Sequence, residues 1–408
     1  MTTSDASDRN ELIKQVSAGF EAAKGGEAIA TYNRFLPLFA DGTLPLKSHY
    51  AFGWITYYAL HQSAATDIDG RKHMLATYLK LSTPRPHKLH SMILGEAVRL
   101  AKDAAEQAPA KKGKPRFSFL RFVELWDVAN LRPGDWRRKE IDGKQLSCLA
   151  EKAITLFASE AADASEHLAE PLVKVIDEAL SKFPDSYHLM SQRAAIHLLE
   201  GETEQAAKLL REALIEAPGK FYLWSRLAST VSIEENPRLR IALLYKALTA
   251  PGPDQFKGKV RLELARTLIA RGAFAQALYE LELVRSAYEA NGWHLSPTFV
   301  SLSKQIPAGT EATNPAEAYR AVAPMADEYV YASLPPVEVT KTFHKKPQPE
   351  GGRQAYGRPM VAWRVTDSEG NSLWFKPERM RIDPNLPMGT PLIVRIHAGK
   401  IVHASLPQ

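Results

Sequence analysis

Few residues in this sequence have the spacing that catalysis requires. Phosphate-binding loops, dinucleotide-binding turns, nucleophile elbows and zinc-protease helices have characteristic spacings, and none of these occurs among the 408 residues. His87 and His90 are three residues apart and could share a helix face, but no third ligand stands at a supporting spacing. His397 and His403 flank a candidate hairpin and could approach across it. The sequence therefore predicts a non-catalytic protein with no metal and no cofactor.

The composition limits the class of protein further. Cys148 is the single cysteine, which excludes an internal disulfide and a cysteine-rich zinc site, and we expect it to be a small core residue. Hydrophobic residues make up 45% of the chain and charged residues 24%, as in ordinary folded proteins. No apolar run is long enough to cross a membrane, and the first residues are polar and acidic, unlike a signal peptide. These features predict a cytoplasmic protein without membrane contact.

Nucleic-acid binding is the sharper prediction from residue types, because phosphates need clustered cations and unpaired bases stack on exposed aromatic rings. The net charge is +6, and residues 331–408 contribute most of it, with 11 Lys/Arg against 6 Asp/Glu. The candidate binding residues in this segment are Trp363, Arg364, Trp374, Phe375, Lys376, Arg379 and Arg381. Further cations in the same segment are Lys341, Lys345, Lys346, Arg353, Arg358, Arg395 and Lys400. The alternative is a structural barrel with core aromatics, docked on the rest of the chain.

A second basic and aromatic cluster lies between residues 111 and 139. It contains Lys111, Lys112, Lys114, Arg116, Arg121, Arg137, Arg138 and Lys139, beside Phe117, Phe119 and Phe122. The pattern is also that of a solvated loop followed by a buried helix, and this second interpretation is favoured.

A repeat with a period of 34 residues organises the middle of the chain. Residues 187–218 form two amphipathic helical segments, with Gly201 between them and Pro218 at the end. The plan recurs from Phe221 and again from Gly258. Small residues at fixed positions allow close helix packing, and large apolar residues seal each hairpin against the next. This pattern predicts an α-solenoid of helix-turn-helix repeats.

The order of Trp, Leu, Ala, Gly and Pro positions in these blocks resembles the tetratricopeptide repeat. The resemblance is strongest over residues 185–290, and Arg193 and His197 depart from it by occupying normally apolar places. It implies a concave groove that binds a protein partner, such as an acidic peptide or a C-terminal carboxylate. By register, the groove residues are His188, Gln192, Arg193, His197, Arg226, Arg261 and Arg266.

The flanking segments complete the predicted organisation. Residues 1–145 have helical spacing and are expected to form a domain of degenerate helical hairpins, followed by tetratricopeptide-like repeats over 146–303. Residues 304–330 are predicted to be a linker, and residues 331–408 alternate as strands separated by turn residues. The last two predicted strands resemble those of a cold-shock or OB-type barrel. The fold class is therefore mainly α, a solenoid followed by a small all-β barrel.

The function predicted from these features is a non-catalytic scaffold that holds a protein partner on its repeats while the barrel contacts RNA or DNA. The combination of repeats and barrel resembles tetratricopeptide proteins of bacterial stress and conflict gene clusters, which implies a role in stress or defence. The alternative is a pure protein-interaction or assembly protein without nucleic-acid binding. A third class is an enzyme whose site has no recognisable motif.

Overall fold

The computed structural model describes residues 3–107, 117–141, 144–345, 361–380 and 382–407. The chain divides into two compact units, Met1–Phe183 and Pro184–Gln408. No helix in the described part of the chain is both long and apolar enough to span a membrane.

The first unit is built from helices, as the spacing of its apolar residues predicts. The helices are α1 (Thr3–Ala22), α2 (Ala28–Ala40), α3 (His49–Gln62), α4 (Ile68–Leu79), α5 (Lys88–Gln107), α6 (Phe119–Trp126), α7 (Leu149–Ala164) and α8 (Glu170–Lys182). A short antiparallel pair, β1 (Lys139–Ile141) and β2 (Lys144–Leu146), precedes α7. Cys148 is buried and unpaired, and it caps the start of α7, where its sulfur accepts a hydrogen bond from the Glu151 amide.

His90 lies at the centre of this unit and not in a metal site. Its ring is completely buried and stacks on Trp126, with the ring centroids 4.4 Å apart. Nε2 lies 3.1 Å from the Trp126 carbonyl, and Nδ1 lies 2.9 Å from the Tyr78 hydroxyl. Because a carbonyl only accepts, Nε2 carries the proton and Nδ1 accepts from Tyr78. Both ring nitrogens are therefore occupied, and His87 contacts Tyr50 instead.

Acidification should destabilise the chain through His90. Burial is the main cause that lowers the pKa of His90 from 6.5 to about 4. A lowered folded pKa means that the neutral ring stabilises the fold fully above pH 6.5, and this contribution is lost as the pH falls from 6.5 towards 4. The loss is on the order of 3 kcal/mol. In urea unfolding at pH 7 and pH 4.5, His90→Gln should therefore lose less stability on acidification than the wild type, since glutamine keeps a donor and an acceptor but does not titrate. Equal losses would contradict the assignment.

The second unit begins with three consecutive helical hairpins, which confirms the predicted helical repeats. They are α9 (Tyr187–Leu199) with α10 (Thr203–Glu216), α11 (Phe221–Ser229) with α12 (Pro237–Thr249), and α13 (Gly258–Ala270) with α14 (Phe274–Ala290). The first two hairpins start 34 residues apart. Gly201 and Gly272 adopt φ values of +78° and +71° between paired helices, a backbone conformation that side chains with a Cβ disfavour. Alanines and leucines fill the contacts between the helices.

The second half of the segment predicted as a linker over 304–330 is a packed helix. After α15 (Pro297–Ser303), α16 runs from Ala316 to Tyr331 and packs against α12 and α10. Tyr319 on α16 is buried, and its hydroxyl donates to the Glu280 carboxylate of α14 at 3.1 Å. Tyr319, Ala326, Val330 and Tyr331 are all buried, so packing of this apolar face makes α16 part of the helical unit.

The C-terminal strands form one antiparallel, barrel-like sheet. They are β3 (Pro336–Lys345), β4 (Ala362–Asp367), β5 (Ser372–Phe375), β6 (Pro391–His397) and β7 (Lys400–Ser405), in the order β5-β4-β3-β6-β7. The outer strands β5 and β7 approach each other, so the sheet curls into a half-barrel. Its core contains Val339, Trp363, Val365, Phe375, Ile382, Leu392, Val394, Ile401 and Ala404.

Candidate nucleic-acid interface

Three side chains form a row across the outer face of the half-barrel: Phe343 on β3, Arg364 on β4 and Trp374 on β5. The strand register places Phe343 opposite Arg364, and Arg364 opposite Trp374. The Arg364 guanidinium lies 5.7 Å from the centre of the Phe343 ring, and the Phe343 and Trp374 rings meet edge to face at 5.8 Å. Phe343 is 44% exposed and Trp374 is 52% exposed. We call these three residues the aromatic row.

A β-bulge gives Phe343 its outward direction. Side chains alternate along a strand, so Val337, Val339, Lys341 and Phe343 would all face inward in a regular β3. The register shifts between Lys341 and Phe343, which leaves Thr342 as the extra residue and reverses the direction of Phe343. Sequence reasoning missed Phe343 because this bulge has no sequence signal that we recognised.

Two of the predicted stacking residues are corrected by their burial. Trp363 is 0% exposed and Phe375 is 7% exposed, and their rings pack together in the barrel core with centroids 5.7 Å apart. A ring covered on both faces by protein cannot stack on a base. Trp374 and Arg364, by contrast, are exposed on the outer face, and their role in binding stays a prediction.

The predicted cations of the barrel fall into three groups. Lys376 and Lys400 are exposed. Lys341 is buried, with Nζ 4.0 Å from the centre of the Trp363 ring, and burial lowers its pKa below the ordinary value. Arg395 donates to the Leu334 carbonyl and is half-buried. The remaining cations are Lys345, Lys346, Arg353, Arg358, Arg379 and Arg381, whose side chains lie outside the described residues.

Histidine and carboxylate pairs join the half-barrel to the helices of the same unit. His403 Nε2 on β7 lies 3.5 Å from Asp327 on α16, and Lys246 on α12 contacts the same carboxylate at 2.5 Å. His397 on β6 lies 2.9 Å from Glu216 on α10. The two histidines that could approach across the hairpin thus each have a different carboxylate partner. Each is used to hold the barrel on the repeats.

A cleft of about 400 Å³ lies at this junction and includes Trp224, Lys246, Asp327, Tyr331 and His403 in its lining. Burial alone would raise the pKa of Asp327, but the His403 hydrogen bond and the Lys246 charge lower it below the ordinary value. Burial and the neighbouring Asp327 raise the pKa of Tyr331. Asp327 therefore remains ionised at neutral pH, and its carboxylate lies against the Lys246 ammonium and the His403 ring where the helices meet the barrel.

The arginines predicted to line the groove form bonds within the unit. Arg226 donates from Nη1 to the backbone and side-chain oxygens of Ser191, at 2.8 and 2.7 Å, which ties α11 to α9. Arg261 pairs with the buried Glu280 at 2.6 Å. Arg266 pairs with Glu263 at 2.6 Å on the same helix. Arg261 and Arg266 thus each have a carboxylate partner within the unit, and Arg226 bonds neutral oxygens; that these three residues line a partner-binding groove stays a prediction.

The other predicted groove residues lie on α9. His188 is exposed and its ring lies 4.1 Å from that of Tyr187, whereas Gln192 is half-buried. His197 Nδ1 lies 2.5 Å from Glu202 and 3.6 Å from Glu200, and these three ligand atoms lie within 4.8 Å of one another. Such a group could hold a cation, but Arg193 at 3.3 Å from Glu200 already supplies positive charge there.

The basic cluster near residue 117 matches its favoured interpretation over the residues that the structure describes. Phe119 and Phe122 are buried on α6, and Arg121 pairs with Glu124 and Glu166. Arg138 pairs with Glu151 at 2.7 Å. The predicted cations Lys111, Lys112, Lys114 and Arg116 lie outside the described residues.

One family model matches part of the chain. A family described as a domain of unknown function (DUF7017) matches residues 189–326, about a third of the chain, which spans α9 through most of α16. No curated protein matches the sequence. Among solved structures, the chain is similar to the human IFIT1 dimer with PPP-AAAA, at 16% identity over 78% of each chain, with a TM-score of 0.34. Likeness at this level does not identify a shared ligand.

Proposed function

We propose that this protein is a non-catalytic, cytoplasmic helical-repeat scaffold whose C-terminal barrel binds single-stranded nucleic acid through Phe343, Arg364 and Trp374. The observation that carries the proposal is the aromatic row itself. Two large rings and a guanidinium lie side by side on the outer face of the sheet, and none of the three belongs to the barrel core. Exposed rings accept bases by stacking, and arginine contributes both charge and stacking on a base.

The barrel topology supports the same proposal. The strand order and the approach of the outer strands are consistent with a five-stranded OB-type barrel. In such barrels the second and third strands and the neighbouring loops bind oligonucleotides. Arg364 lies on the second strand of the sheet in chain order, and Trp374 and the exposed Lys376 lie on the third strand or directly after it.

The repeats serve in this proposal as the scaffold that presents the barrel, with a protein partner bound on the surface around His188 and Gln192. A competing function is a pure assembly protein, in which the barrel is only a docking element. The junction formed by Lys246, Asp327 and His403 favours this second candidate, because it shows barrel residues used for internal contact. The two candidates differ in whether the outer face of the barrel binds a ligand.

Replacing Trp374 by alanine should separate them. Stacking contributes about 1–3 kcal/mol per base, so Trp374→Ala should weaken binding of a single-stranded oligonucleotide by about 5- to 150-fold. Arg364→Gln should weaken it as well and flatten its salt dependence, since one phosphate contact is lost. The measurement is fluorescence anisotropy of the full chain with a labelled mixed-sequence oligonucleotide at several salt concentrations.

Trp293→Ala is the matched control, because Trp293 is also partly exposed, at 37%, but belongs to the turn after α14. It should bind like the wild type. Absence of binding by the wild-type chain, or equal affinity of the Trp374→Ala and Trp293→Ala variants, would reject the nucleic-acid proposal and leave the assembly function.

A further inference from the structure

A second row of side chains runs beside the aromatic row, made of the hydroxyls of Thr342, Thr366 and Ser372. Thr342 and Thr366 Oγ1 lie 3.0 Å apart, and Thr366 Oγ1 lies 2.9 Å from Ser372 Oγ. Thr366 is two residues from Arg364 on β4, and Ser372 is two residues from Trp374 on β5. Positions two apart share a face and are separated by about 6.6 Å, the scale of one nucleoside. We call these three residues the hydroxyl row.

The proton of each hydroxyl can be assigned along this row. Thr342 donates its hydroxyl proton to the Arg364 carbonyl at 3.2 Å, and a carbonyl can only accept. By distance alone either oxygen could donate the Thr342–Thr366 bond, but a hydroxyl has one proton, and with the Thr342 proton on the Arg364 carbonyl the donor is Thr366. By the same count Ser372 donates to Thr366. All three protons are then used inside the row, and only lone pairs remain to face a ligand.

Because the hydroxyl row offers only hydrogen-bond acceptors, it can bind a ligand group that donates a proton. Phosphate oxygens are acceptors and find no partner there. The β4–β5 turn beside the row carries Asp367 and Glu369, and hydrogen bonds from Asn371 are the main cause that keeps the pKa of Asp367 below its ordinary value. This negative charge disfavours phosphate further. A sugar hydroxyl, by contrast, can donate to Thr366 or Ser372.

We propose that the barrel prefers single-stranded RNA to single-stranded DNA, with Thr366 and Ser372 accepting the 2′-hydroxyl of a nucleotide whose base stacks on Trp374. This inference rests on the proposed function, since it names the ligand class of the same face. The 2′-hydroxyl is the group by which a protein tells RNA from DNA, and deoxyribose has no donor at this position.

The test compares three oligonucleotides of one base sequence on the full chain: RNA, DNA and 2′-fluoro RNA. One hydrogen bond corresponds to about a 2- to 12-fold difference in affinity. RNA should bind more tightly than the other two by this factor, because 2′-fluorine retains a ribose-like sugar but cannot donate. The double variant Thr366→Val/Ser372→Ala should abolish the preference, so that RNA and DNA bind with equal affinity. Valine favours strands, so the sheet should be retained.

The outcomes distinguish failure of the RNA preference from failure of nucleic-acid binding itself. Equal binding of RNA and DNA by the wild type would overturn the RNA preference and leave nucleic-acid binding intact. A preference that persists with 2′-fluoro RNA, or in the double variant, would also overturn it, because the hydroxyl contact would then not be its source. Binding of neither RNA nor DNA would overturn the proposed function itself. Ser301→Ala, which removes an exposed hydroxyl on α15, is the matched control and should behave as the wild type.

Discussion

Trp363→Ala is expected to destabilise the barrel by about 3–5 kcal/mol, whereas Trp374→Ala should change its stability by less than about 0.5 kcal/mol. Trp363 is 0% exposed and packs with Phe375 in the barrel core, so truncation leaves a large cavity. Trp374 lies on the outer face, where removing its ring opens no cavity. The measurement is hydrogen exchange of peptides from β3 to β7 in the full chain, read by mass spectrometry.

The two tryptophans thus serve as controls for each other. Trp363→Phe keeps most of the core volume and should give an intermediate loss of protection. If Trp374→Ala lost as much protection as Trp363→Ala, the outer ring would be structural, and a fall in nucleic-acid binding by that variant would no longer indicate stacking. Retained protection together with lost binding is the combination that the proposed function predicts.

Glu280→Ala is expected to destabilise the helical unit by about 3 kcal/mol, because it removes one partner from a buried ion pair. Glu280 is buried on α14, where its carboxylate contacts Arg261 at 2.6 Å and accepts from the Tyr319 hydroxyl at 3.1 Å. Burial is the main cause that raises the pKa of Glu280, although Arg261 and Tyr319 act against it. The alanine variant leaves the Arg261 guanidinium and the Tyr319 hydroxyl without their carboxylate partner. Thermal unfolding by circular dichroism would measure the loss.

Removing both charges should be far milder than removing one. In Arg261→Met/Glu280→Leu the buried charges are replaced by apolar groups of similar volume, which is often neutral or stabilising. Most of the stability lost in Glu280→Ala should therefore return in the double variant. A double variant as unstable as Glu280→Ala would show that the loss comes from packing or from the unpaired Tyr319 hydroxyl, and not from the unpaired Arg261 charge.

The Arg261–Glu280 pair also affects the barrel, because Glu280 bonds a helix that contacts the barrel. Tyr319 lies on α16, and this helix ends at Tyr331, directly before β3. Asp327 on the same helix holds His403 of the barrel and Lys246 of α12. Loosening α16 through Glu280→Ala should therefore also raise hydrogen exchange in β7, the strand that carries His403. Thus α16 couples the stability of the repeats to the placement of the barrel.

The helical repeats could be predicted from sequence because their signal is local and repeated. The apolar spacing predicts the two helices of each hairpin, Gly201 and Gly272 mark the turns of the first and third hairpins, and the second hairpin starts 34 residues after the first. The hydrogen-bond partners of single polar residues could not be predicted in this way. Whether Arg226 faces a groove or bonds Ser191 of the preceding hairpin depends on how two hairpins are rotated against each other.

The sequence by itself determined the two kinds of structure, repeats and strands, and the charge and aromatic content of the barrel. Only the tertiary structure decided which aromatic rings face outward. Alternation states that Trp374 and Phe375 lie on opposite faces of β5, but the core side is chosen by the strands that pack beneath it. On β3 the bulge at Thr342 reverses the alternation, so that Phe343 leaves the core side and joins Arg364 and Trp374. Alternation along a strand predicts which face a side chain occupies only while the strand is regular. Bulges and register depend on pairing between strands that are distant in the sequence.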